Sequence, residues 1–154
     1  MESYKSPAAF AKDVQVPIDK SILQNLLPAS CKLELSEKTR ILNLLSADAP
    51  HILAQQQLTK NEWSIFITLL VSYPHYAPHE TLLASLTLLS PGDCRKMLQE
   101  AEQVGPKTLK RELKPVYRAL CGLRAKLNNL SPYLKISLIR DLGYALIRAE
   151  NKDL

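Results

Sequence analysis

Apolar residues recur at helical spacing in four stretches of the chain. Over residues 58–72, LTKNEWSIFITLLVS, Trp63, Phe66, Ile67, Leu69 and Leu70 form one broad apolar face, which predicts an amphipathic helix. Thr59 stands at its start with Glu62 three positions on, the arrangement of a capping box, and Tyr73-Pro74 stops it. Residues 78–89 predict a second helix, with Pro78 in the first turn and Leu82, Leu83 and Leu86 facing inward. Ser90-Pro91-Gly92-Asp93 opens a third by the same capping logic. It runs to Val104 with Cys94, Met97, Leu98, Ala101 and Val104 on one side, and Gly105-Pro106 ends it.

The fourth helix carries the most information. Val116, Leu120, Leu123 and Leu127 recur at steps of 4, 3 and 4, so they share the face that packs on the core. Pro115 lacks an N–H and suits a first turn, which places the helix at about 114–129; a start near Thr108 would put a kink at Pro115. Lys114, Arg118, Cys121, Gly122, Ala125 and Asn129 lie away from the leucine stripe, with Tyr117, Arg124 and Lys126 flanking it. Glycine inside a helix costs about 1 kcal/mol relative to alanine. Gly122 therefore asks for a packing reason, and small side chains let a DNA backbone or a partner helix approach closely.

Strand patterns are shorter. Residues 135–140 and 144–148 read as a hairpin around Asp141-Leu142-Gly143, with Gly143 supplying the positive φ of the turn and Arg140 near the tip. Leu33 and Leu35 alternate with Lys32 and Glu34 as in a strand, while Ile41, Leu42, Leu44 and Leu45 fit a helix as well as a buried strand. Residues 47–50 read as a turn, and 51–57 as a strand or a helical turn. Residues 1–30 hold Pro7, Pro17 and Pro28 and little periodicity. They read as an N-terminal arm or linker with a short helix at 19–27 that Asp19 can cap, ahead of one domain at 31–154.

Charge adds direction to this outline. Residues 1–104 carry 9 Lys/Arg against 11 Asp/Glu, and residues 105–154 carry 11 against 4, so the whole excess lies in the fourth helix, its approach and the hairpin. A basic end on a near-neutral body points to a polyanionic partner. No apolar run approaches the ~20 residues of a membrane span, and the first 20 residues lack the hydrophobic stretch of a signal peptide, so no membrane association and a cytoplasmic location are expected. Cys31, Cys94 and Cys121 are widely spaced without a CxxC pair and read as free thiols, with no metal site and no cofactor implied. His51, His75 and His79 are the only histidines, and no phosphate loop, HExxH or nucleophile elbow occurs, so an enzyme is not expected.

The segments fall in a familiar order. From about residue 32 to 148 the chain resembles the winged-helix effector domain of OmpR/PhoB-type response regulators. LTKNEWSIFITLL resembles the opening helix of that family, HETLLASL the positioning helix, GLRAKL with Val116 and Leu120 the recognition helix, and ISLIRDLGYALI the wing, with Ile136, Arg140, Gly143 and Tyr144 in register. The resemblance implies an α+β, mainly helical fold: a winged helix-turn-helix with a small N-terminal sheet. The loop between its second and third helices is enlarged to include residues 91–104. It implies a DNA-binding transcriptional regulator without a receiver domain, contacting double-stranded DNA through Lys114, Tyr117, Arg118, Cys121 and Arg124 on the recognition helix and Arg140 on the wing. Ala119, Cys121 and Gly122 depart from the polar or basic residues usual in the family's helix, and bidentate base reading needs Arg, Lys, Asn or Gln. The alternative is a winged-helix interaction module in which Gly122, Ala125 and Met97 dock a protein such as RNA polymerase or another transcription factor. A homodimer is a further candidate assembly.

Overall fold

The structure, a computed structural model, describes residues 20–49 and 51–149. The segment 1–19, including the Asp19 cap, lies outside the described residues. Those residues form an α+β fold of six helices and two three-stranded antiparallel sheets. Helix α1, Lys20–Leu26, leads into a meander of β1, Cys31–Ser36, β2, Ile41–Ser46, and β3, Ile52–Gln57. Helix α2, Lys60–Ser72, and a two-residue strand β4, Ala77–Pro78, follow. Then come four helices: α3, His79–Ser85; α4, Pro91–Val104; α5, Pro106–Glu112; and α6, Lys114–Leu130. The hairpin of β5, Leu134–Ile139, and β6, Gly143–Arg148, completes the fold.

The two sheets use their pleat differently. In the meander, Leu33 pairs with Leu44 and Leu35 with Leu42, so one face is leucine-lined and packs inward. The other face carries a polar ladder in which the Gln55 side chain donates to Asn43 at 2.7 Å. Residues 41–45, which fit helix and strand equally in the sequence, are strand because pairing on both sides satisfies their backbone groups. In the second sheet β6 lies in the middle, between β4 and β5.

Local chemistry explains the helix ends. The Thr59 hydroxyl accepts from the Glu62 N–H at 3.2 Å, and the Thr59 N–H donates to the Glu62 carboxylate at 2.8 Å, completing the capping box. The second predicted helix is shorter than its pattern. It begins at His79, with Pro78 in β4, and ends at Ser85 rather than Leu89. The Leu86 and Thr87 amides donate three residues back, to Leu83 and Ala84, which tightens the last turn. Leu88 and Leu89 are left exposed, and Pro91 restricts Ser90 to extended backbone, from which it caps α4. Along α4, Cys94, Leu98 and Ala101 are buried and Met97 is half-buried, but Val104 is exposed because the helix end runs past the core. The basic helix begins at Lys114, and the residues before it form a separate short helix that starts at Pro106. The chain forms α5, breaks at the buried Leu113, and restarts at Lys114 with Pro115 in the first turn.

The core is one cluster in which α6 is the hub, packing against α2, α3, α5, β3 and β5. Leu26 and Leu27, at the end of α1, belong to it, and Leu23 packs against it. Trp63 lies half-buried against the same cluster, as a core anchor. At the β5–β6 tip, the positive φ belongs to Asp141, at 65°, and not to Gly143. Aspartate tolerates that region better than most side chains. Gly143 is needed for a different reason: a Cβ there would stand 2.0 Å from the Ala77 carbonyl oxygen, so only glycine lets β4 pair with β6.

Candidate nucleic-acid interface

The exposed side of α6 is a ridge of Lys114, Arg118, Cys121, Ala125 and Asn129. Val116, Ala119, Leu120, Leu123, Leu127 and Leu130 are buried on the opposite side. Ala119 is thus a core position whose small side chain suits its burial, and it does not stand where a base reader would. Cys121 carries an exposed free thiol in the middle of the ridge.

One flank of α6 is tied to the start of α2. The Lys126 ammonium donates to the Glu62 carboxylate at 2.7 Å, and Glu62 is only 7% exposed. Gly122 lies directly over this pair: a Cβ on it would stand 2.0 Å from Glu62 Oε2. The glycine is therefore explained from within the molecule. The direction a side chain would take from it is filled by Glu62, so the missing side chain makes room for that carboxylate. Ala125 remains exposed on the ridge, while Met97 sits on α4, half-buried against the core.

The other flank is tied to the hairpin. Arg124 donates from Nη2 to the Ile136 carbonyl at 3.2 Å and lies 5.6 Å from the centroid of the Tyr144 ring. His79 meets the same ring edge-on, with centroids 5.6 Å apart. Burial pulls the His79 imidazole below its ordinary pKa, and the nearby Glu80 and Asp141 carboxylates oppose that shift. Tyr117 is half-buried, and burial, with Tyr144 beside it, raises its phenol above its ordinary value. Arg140 stands exposed at the hairpin tip. Of the six residues named for DNA, Lys114, Arg118 and Cys121 share the open ridge. Tyr117 and Arg124 join it to the hairpin, and Arg140 stands apart at the tip.

An open depression of about 390 Å³ lies beside the ridge, lined by Thr59, Asn61, Glu62, Arg111, Lys114, Pro115, Arg118 and Ala119. Arg111, Asn61 and Thr59 are absent from the pattern-based set. The KR pair at 110–111 signals charge, but only packing brings α5 and the start of α2 beside α6. Among the described residues no group of three or more His, Cys, Asp or Glu side chains could hold a metal ion, and no helix is long and apolar enough to cross a membrane. No family model, curated protein or solved structure matches the chain.

Proposed function

We propose that the protein binds duplex DNA as a winged-helix transcriptional regulator, with α6 as the recognition helix and β5–β6 as the wing. The observation that carries this is the joint presentation of one cationic helix ridge and one hairpin. Lys114 and Arg118 stand clear of the core, and Arg124 couples their helix to the strand leading to Arg140. Regular helix on one side and hairpin on the other is the geometry that reads a major groove while touching the neighbouring backbone. With Cys121 and Ala125 at the centre of the ridge, base contacts are few and phosphate contacts dominate affinity. A non-enzymatic role in the cytoplasm belongs to the same proposal. A docking module has less support, since the missing side chain at Gly122 is accounted for by the room it makes for Glu62.

Binding of labelled duplex DNA over a salt titration tests the proposal. Affinity is expected to fall steeply with salt, and Arg118→Glu and Arg140→Glu are each expected to weaken it. Absence of duplex binding at ~50 mM salt, where even non-specific electrostatic association persists, would refute it.

A further inference from the structure

The depression beside α6 has a composition of its own. Lys114 and Arg118 are four apart on one helix face, and Arg111 reaches the same space from α5 across the break at Leu113. The one carboxylate in its wall, Glu62, is already bound by the Lys126 ammonium and the Thr59 N–H. Among the described residues no carboxylate forms an ion pair with Arg111, Lys114 or Arg118. Among the described residues, three cations therefore border one concave space whose one carboxylate is already paired. Guanidinium forks match phosphate oxygens in shape as well as charge. Two successive helices and the start of a third bring these side chains to the border of one open depression.

We infer that this depression is a phosphate-binding clamp, formed by Arg111, Lys114 and Arg118, that holds a phosphodiester of a nucleic-acid backbone. The inference deepens the DNA-binding proposal and rests on it for the source of the phosphate. It gives α5, the short helix between α4 and α6, a role in nucleic-acid contact, because α5 supplies Arg111. It also moves Lys114 and Arg118 from reading bases to gripping the backbone, so their contribution is independent of sequence.

Two measurements separate the sources of phosphate. In the first, duplex affinity is followed from ~50 to ~200 mM salt for the wild type, Arg111→Ala, Arg111→Lys and Lys32→Ala, the last removing an exposed charge on β1. Arg111→Ala is expected to lower the slope of log K against log salt by about 0.9, equally on unrelated sequences, while Arg111→Lys and Lys32→Ala keep the wild-type slope. In the second, thermal unfolding is compared in sodium phosphate and sodium chloride at matched ionic strength. Phosphate is expected to raise the wild-type Tm and to raise that of Arg111→Ala less. If duplex binds but Arg111→Ala leaves the slope unchanged, the clamp is wrong and the DNA proposal stands. The same slope loss in Arg111→Lys would overturn a charge-based clamp. If no duplex binds yet phosphate stabilises only proteins that keep Arg111, the clamp stands with a free phosphate as its ligand and the DNA proposal falls. If neither effect is seen, both fall.

Discussion

The two flanks of α6 are held by opposite kinds of chemistry. Towards α2, Gly122 admits the nearly buried Glu62, which is fixed by Lys126 and by the helix cap it completes. Towards the hairpin, Arg124 remains exposed while it bonds to Ile136 and lies over Tyr144. The first flank has little room to change, because a buried carboxylate that loses its partner carries the full desolvation penalty. The second can exchange its partners for water or for a ligand at small loss. A helix that must be held rigidly and still offer a surface benefits from one flank of each kind.

The largest expected effect comes from filling the space over Glu62. Gly122→Leu should destabilise the fold by about 3 kcal/mol, through overpacking and displacement of the nearly buried Glu62 carboxylate from its part-buried ion pair. Denaturant unfolding would read this as a lowered midpoint, and a midpoint near wild type would show that Glu62 can move aside at little loss. Next in size, Glu62→Ala removes the cap and leaves Lys126 without its partner, an expected loss of about 2 kcal/mol. Lys126→Ala alone should lose no less, because it strands the more buried of the two charges. The hairpin flank should be softer. Arg124→Ala is expected to lose about 1 kcal/mol of stability. Duplex affinity should fall further than that loss of stability would suggest, and equal loss of both would make Arg124 a structural residue only.

The smallest effect is one of pH. His79 has a folded pKa below its unfolded value of 6.5, chiefly through burial. The unfolded chain then binds the proton more readily, so this residue's stabilisation is complete above pH 6.5 and is lost as pH falls from there through the lower folded value. His79→Gln should flatten the fall of Tm in that window. An unchanged pH profile would assign the dependence to other groups.

Features that depend on neighbours in sequence were legible in the chain itself. The capping box of Thr59 and Glu62, the stop at Pro74, the leucine stripe from Val116 to Leu127 and the Ser90 cap follow from local bonds and from the period of a helix. The hairpin was legible too, yet the role of its glycine was not. A turn can take its positive φ at Asp141, and the steric need at Gly143 arises from Ala77, more than sixty residues earlier in the chain. The shortening of the second helix lay between these cases, since Ser90-Pro91 marks a boundary but does not say how early the preceding turn will tighten.

By itself, then, the sequence determined where α2, α4 and α6 start, which face of α6 is apolar and where the positive charge accumulates, because each rests on residues a few positions apart. Tertiary structure alone decided that Gly122 serves Glu62, that Leu26 and Leu27 complete the core, and that Arg111 meets Lys114 and Arg118 beside the start of α2. These are contacts between segments tens of residues apart. Their partners are selected by shape and charge only after the chain has closed around one core.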